Sequence, residues 1–177
     1  MRIERNSNEQ PGSRPLQEKM ITYGHMKLTD CERVAALEKE AFGHDAWTAE
    51  DFRESLCCDY AVYVVARDTE TAGAGEGDVS HPAVACAGIR NMCGDGDITN
   101  VLVEESYRRR GIAGSLLRYL FEEGRTIGVR NFTLEVRVSN TPAIRLYEKL
   151  GFISEGIRPG FYDAPKEDAI IFWKREG

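Results

Sequence analysis

Residues 97–117 read DITNVLVEESYRRRGIAGSLL, and residues 132–152 read FTLEVRVSNTPAIRLYEKLGF. In the first stretch, Asp97 to Val103 is β-branched and apolar, which predicts a strand. A short loop, Glu104 to Arg110, leads to Gly111-Ile112-Ala113-Gly114, which opens a helix with Ile112, Leu116, Leu117, Leu120 and Phe121 at helical spacing. Small residues at a helix start leave its unpaired N–H groups open to a ligand, and their dipoles suit a pyrophosphate. Arg108, Arg109 and Arg110 add positive charge beside it. Small residues serve tight packing equally well, so both readings stand on this feature alone. Neither G-x-G-x-x-G nor the Walker pattern G-x-x-x-x-G-K-[ST] occurs here.

In the second stretch, Phe132 to Val138 predicts a strand that a right-handed crossover lays parallel to the first. It carries Glu135 in its middle, either solvated on the outer face or turned into a cleft for function. Asn140 or Thr141 then caps a helix with Pro142 at an early position; Ile144, Leu146, Tyr147 and Leu150 follow, and Gly151 closes it as a C′ glycine. By itself, Tyr147 reads as a packing aromatic.

Outward from this centre, Cys93 to Gly96 is a turn, and Tyr60–Arg67 (YAVYVVAR) and Ala83–Met92 read as a strand pair. Between them, residues 68–82 form a Gly-rich polar loop, read as a hairpin insertion. Met20 to Thr22 begins a strand; Thr29-Asp30 caps a helix with apolar Val34, Leu37, Ala41 and Phe42. Trp47, the cap Thr48, Asp51 and Phe52 spell a hydrophobic staple at the start of a second helix. Phe152–Ile157 and Ala169–Lys174 supply the last strands. Residues 1–19 are polar and aperiodic, a flexible leader ahead of one domain over 20–177. The 177 residues suit one domain, and 42% hydrophobic with 29% charged residues is an ordinary globular composition. A net charge of −6 disfavours nucleic acid as a partner and suits a basic peptide. Five cysteines, Cys31, Cys57, Cys58, Cys86 and Cys93, show no metal-ligand spacing and read as reduced thiols, so no metal is expected. With no apolar run of about 20 residues and no signal-peptide core, the expected compartment is the cytoplasm, away from membranes.

The segment YRRRGIAGSLL resembles the R/Q-x-x-G-x-G/A acetyl-CoA motif of the GNAT superfamily of N-acetyltransferases, and LEVRVSNTPAIRLYEKLGF resembles the second half of that signature, at the expected distance. Together with the tail IRPGFYDAPKEDAIIF, the chain is similar to the ribosomal-protein alanine N-acetyltransferases, the RimI family, over about Met20 to Lys174. Ala113 stands where Gly is commoner, and neither the 68–82 insertion nor the leader belongs to the pattern. The resemblance implies an α/β fold: a central mixed sheet with a splayed parallel strand pair and helices on both faces. It implies acetyl-CoA as co-substrate, its pantetheine along Val101, Leu102 and Val103. The pyrophosphate is then expected at Arg109, Arg110, Gly111, Ile112, Ala113 and Gly114, with Asn140 reaching the cofactor from the far strand. Glu135 is implied as the base, through a water, and Tyr147 as the acid. Arg158, Phe161 and Tyr162 are implied to border the peptide groove, Phe161 standing where the family has Tyr, and Trp47 lies on the same side. The implied acceptor is the N-terminal alanine of a small-subunit ribosomal protein. The alternatives are a GNAT enzyme for Lys side chains, broad nascent N-termini or a small amine, and a non-catalytic acetyl-CoA-binding module.

Overall fold

A computed structural model describes residues 20–70 and 81–176; the expected leader and residues 71–80 of the insertion lie outside the described residues. Among the described residues, eleven strands and α-helices follow in chain order. They are β1 (Ile21–His25), α1 (Cys31–Phe42), α2 (Ala49–Leu56), β2 (Ala61–Asp68), β3 (Ala83–Met92), β4 (Asp95–Val103), α3 (Ile112–Thr126), β5 (Asn131–Arg137), α4 (Thr141–Lys149), β6 (Ile153–Asp163) and β7 (Lys166–Arg175). The strands form one sheet in the order β1-β2-β3-β4-β5-β7-β6, antiparallel except for β4 beside β5. This is the expected mixed sheet with its parallel pair at the centre.

Strand alternation sends side chains to two separate cores. On one face, α3 and α4 cover Val62, Val64, Ile89, Phe132, Leu134 and Val136. On the other, α1 and α2 cover Tyr63, Val65, Cys86 and Leu102, through Val34, Leu37 and Phe52. The α2 start forms as its sequence spells it: Asp51 N–H donates to Thr48 Oγ1 at 3.2 Å, Thr48 N–H donates back to Asp51 at 2.7 Å, and the Trp47 ring lies 5.4 Å from Phe52.

Several boundaries differ from the sequence reading. Strand β4 starts at Asp95, and β6 and β7 extend into a long hairpin, because pairing with neighbours sets strand length more than local composition does. The expected Thr29-Asp30 side-chain cap is absent: Asp30 instead accepts Lys27 N–H at 2.7 Å and binds the Arg67 guanidinium at 2.6 and 2.8 Å. Ala41 and Phe42 were expected on the apolar face of α1, yet both are exposed, Phe42 at 46%, since α1 overhangs the sheet where the strands part. Asn140, not Thr141, caps α4, and Gly151 ends it at φ +90°. No helix among the described residues is long and apolar enough to cross a membrane.

Candidate active site

The central parallel pair comes apart. Strands β4 and β5 are in register at Asp95↔Asn131, Gly96↔Phe132 and Asp97↔Thr133, and then separate. Beyond that point β4 stays with β3 as far as Val103↔Ala85, and β5 stays with β7 as far as Arg137↔Ala169. Two features set the divergence. At the vertex, a Cβ on Gly96 would lie 2.5 Å from Ile89 and 2.6 Å from Val129, so close packing there needs glycine. Just beyond, Gly88 faces Asn100 while Ile89 faces Ile98, which leaves Thr99 as an extra residue, a β-bulge. The bulge bends β4 and switches its phase. Ile98 therefore packs in the α3/α4 core, whereas four residues later Leu102 packs in the α1/α2 core.

A cavity of about 460 Å³ occupies the opening. Ile98 to Val101 form one wall and Leu134 to Arg137 the other; Glu38 and Phe42 of α1, Trp47, Tyr147 of α4, Tyr162 and Pro165 of the hairpin complete it. Since Leu134 and Val136 point into the α3/α4 core, Glu135 between them points to the α1/α2 side. Its side chain is 22% exposed and Oε1 lies 3.0 Å from Arg158 Nη1. Of the two positions the sequence leaves open for this carboxylate, the structure has it on the cavity wall. Burial raises its pKa above the usual glutamate range, against the lowering effect of Arg158, while nearby Asp97 adds to the rise. Tyr147 reaches the same cavity from the opposite face of the sheet, its ring 5.8 Å from Phe152 and 6.2 Å from Phe172. Burial, with Tyr162 adding to it, pushes its phenol well above the ordinary value, so it stays protonated at neutral pH. The opening thus joins two faces of one sheet, with a carboxylate on one side and a phenol on the other.

At the start of α3, Arg109 (φ +62°) and Gly111 (φ +78°) take left-handed conformations, and no side chain caps the helix. The N–H groups of Ile112, Ala113 and Gly114 in its first turn are therefore left without helical partners and can meet an anion. Arg110 donates to Ser106 O at 2.7 Å and stacks 5.1 Å from Tyr107, and Arg108 donates to Val103 O at 3.1 Å, which ties the loop to the end of β4. Val101 lines the cavity; Leu102 is buried toward α1; Val103 packs at the edge of the α3/α4 core. Asn140 Oδ1 accepts Ala143 N–H at 3.3 Å, and the residue also lines the cavity.

The residues expected around a peptide groove separate into two groups. Trp47 and Tyr162 line the cavity, and Tyr162 OH donates to Glu135 O at 3.4 Å. Arg158 and Phe161 sit outside its lining, the guanidinium 5.1 Å from the Phe161 ring. Arg137, which the sequence reading did not single out, stacks 4.0 Å over Tyr162 and donates to Pro165 O and Ala164 O, pinning the β6–β7 hairpin against the opening. Glu38 and Asn100 were also missed. Both are buried on the cavity wall, and Asn100 Nδ2 donates to Glu38 Oε1 at 2.6 Å. A signal was present: Glu38 follows Val34 by four residues and so falls on the buried stripe of α1, where a carboxylate is anomalous.

A split parallel pair, an uncapped helix start beyond the end of the first strand, and a carboxylate and a phenol facing the gap from its two sides make up the site, and the chain belongs to the acetyltransferase (GNAT) family, whose profile matches residues 29–152. It is an acetyl-CoA-dependent N-acetyltransferase. Among particular relatives, it is 31% identical over 158 residues to the N-alpha-acetyltransferase RimI of Mycobacterium tuberculosis, covering 89% of this chain and 94% of that protein. A Bacillus subtilis protein, provisionally named a ribosomal protein bS18-alanine N-acetyltransferase, is 34% identical over 151 residues, covering 84% of this chain and 91% of the other. The crystal structure of the ribosomal-protein-S18-alanine N-acetyltransferase from Escherichia coli superposes with a TM-score of 0.71 at 26% identity, covering 88% of this chain and 94% of that one.

Proposed function

We propose that the protein transfers acetyl from acetyl-CoA to the α-amine of a protein N-terminus, the N-terminal alanine of the small-subunit ribosomal protein that its relatives are named for. The observation that carries this reading is the parted β4/β5 pair with Glu135 and Tyr147 on its two sides. Acetyl-CoA would lie with its pantetheine against the edge of β4 from Val101 to Val103 and its pyrophosphate on the N–H groups from Arg109 to Gly114, with Asn140 opposite. Such a site recognises the co-substrate mainly through backbone, which is why the strand positions need only be apolar. The acceptor amine enters from the α1/α2 side, beside Trp47 and Tyr162, with Arg158 and Phe161 at the rim.

The amine nitrogen attacks the thioester carbonyl carbon as Glu135, through a water, takes its proton; when the C–S bond breaks, Tyr147 protonates the leaving thiolate. An α-amino group has a pKa of about 7.7–8.0 against about 10.4 for Lys, so a half-buried glutamate with a raised pKa is matched to an N-terminus. A backbone N–H of β4 is suited to hold the oxyanion, worth about 3 kcal/mol by the measure of other oxyanion holes.

The test is to incubate the protein with acetyl-CoA and either an Ala-initiated ribosomal-protein peptide or a peptide with only an internal Lys amine, measuring free CoA and the site of the mass shift. Acetylation at the α-amine is expected; modification confined to Lys overturns the substrate assignment, and cofactor binding without thiol release on any peptide favours a binding module. Glu135→Gln should lower turnover at neutral pH by about 10²-fold or more. The acid limb that the Glu135 carboxylate sets should be lost from the pH–rate profile. An unchanged pH–rate profile removes Glu135 from the base role.

A further inference from the structure

Glu38 is a carboxylate that the mechanism above leaves unused. It is 1% exposed, on the buried face of α1 between Leu37 and the cavity. Among the described residues no Lys, Arg or His pairs with it; its one polar partner is Asn100 Nδ2, which donates to Oε1 at 2.6 Å. Asn100 is itself 7% exposed and sits on the β4 bulge, and its Oδ1 is buried without any donor. A buried, uncompensated carboxylate and an orphaned amide oxygen both cost stability. Leucine at either position would fill similar space without that cost, so the pair reads as a functional feature of the cavity.

The stoichiometry of the reaction supplies a role. An α-ammonium must lose two protons to become an amide, one before the nitrogen can attack and one as the C–N bond forms. Glu135 accounts for one of these, and Tyr147 donates to sulfur and accepts neither. We propose that Glu38, held through Oε1 by Asn100, accepts the first proton from the incoming α-ammonium through its other oxygen, delivering a neutral amine to the Glu135 water. The proton on Glu38 then passes to solvent after product leaves. This inference rests on the N-terminal reading of the site given above.

The surroundings of Glu38 suit that task. Burial raises its pKa to about 7, with the Asn100 hydrogen bond opposing the rise, which places it close to the pKa of an N-terminal amine. From β3 the group facing it is the buried Cys86 thiol, which is itself raised well above its ordinary value by burial and stays neutral. Around the cavity stand Asp45, Glu135, Arg137, Tyr147 and Tyr162; Asp45 and Arg137 are paired with each other at 3.4 Å, and Glu135 with Arg158. On the α2 side, Arg53 is taken up by Glu32 and Glu50. Glu38 is thus left to titrate as the proton acceptor of its own wall.

The experiment compares kcat/KM for the Ala-initiated peptide between pH 6 and 9 in the wild-type protein, Glu38→Gln and Asn100→Leu, together with KM for acetyl-CoA. Glutamine keeps the volume of Glu38 and can still accept the Asn100 bond, so it removes the titration with little change in packing. Glu38→Gln is expected to lose about 10-fold at pH 6.5–7, where only about a tenth of an α-amine of pKa about 7.7–8.0 is neutral unaided. The loss should close above about pH 8, where the peptide amine is neutral unaided, and KM for acetyl-CoA should hold. Asn100→Leu removes the bond that lowers the Glu38 pKa, so the acid limb of the profile should move to higher pH, a shift that a purely structural role would not produce. A Glu38→Gln profile that superimposes on wild type overturns the inference. Should Glu38→Gln fail to fold, an Asn100→Leu acid limb that stays in place overturns it instead. If the wild-type protein leaves the peptide's α-amine unmodified, the underlying reading of the substrate fails, and that outcome is distinct from both.

Discussion

Glu135, the base in the mechanism proposed above, carries the clearest pH signature among the single residues. Its proton-accepting form is the carboxylate, so activity is lost as pH falls through its pKa, and burial places that loss at higher pH than for an exposed glutamate. Arg158, 3.0 Å away, works in the opposite direction, while Asp97 adds to the rise. Arg158→Gln should therefore move the Glu135 acid limb to higher pH, and Asp97→Asn should move it to lower pH. Both are read from kcat/KM profiles of the Ala-initiated peptide in a Glu38→Gln background, so that a single carboxylate is followed. Shifts of the same sign in the two variants would contradict this electrostatic account. How far the site is legible at this scale differs by residue. Glu135 and Tyr147 stand out in the sequence because both lie inside the second of two coupled motifs. Glu38 and Asn100 lie 62 positions apart and belong to no motif, and only the crossing of α1 over β4 brings them together.

Individual elements owe their shape to a few tight contacts. At the bulge, a Cβ on Gly88 would fall 2.1 Å from the Tyr63 ring. That ring cannot retreat: it is fully buried, with Trp47 and Phe52 at 6.1 and 5.8 Å, and its hydroxyl lies 3.1 Å from Thr99 Oγ1. Gly88→Ala should cost about 1–3 kcal/mol in urea unfolding, as overpacking does, and it should raise KM for the peptide through the displaced bulge. A fully stable Gly88→Ala protein would show that Tyr63 does not brace β4. The elements themselves were largely readable. The Trp47–Phe52 staple and the Gly151 terminus follow from local chemistry, whereas the start of β4 and the length of the β6–β7 hairpin depend on strand partners distant in the chain.

For the molecule as a whole, the parted strands leave backbone of β4 without a partner on its β5 side, and a bound pantetheine would supply one. Acetyl-CoA at about 100 times its Kd should add about 2.7 kcal/mol to stability. For a chain of this size that raises Tm by about 5–10 °C, at about 2–4 °C per kcal/mol. Hydrogen exchange should slow in residues 98–103 and 111–114. Thermal stabilisation without protection in those two segments would place the co-substrate elsewhere. What the amino-acid sequence determined by itself was local: the strand and helix periods, the glycines that only certain backbone angles admit, and a pair of coupled motifs that name the family. The tertiary structure alone decided which way Glu135 points and that Tyr147 meets it through the sheet. It also decided that the overhang of α1 sets a buried carboxylate beside them. Those facts depend on where two strands stop pairing, and that is settled by the packing of Gly96, Gly88 and Tyr63 against residues distant in the chain.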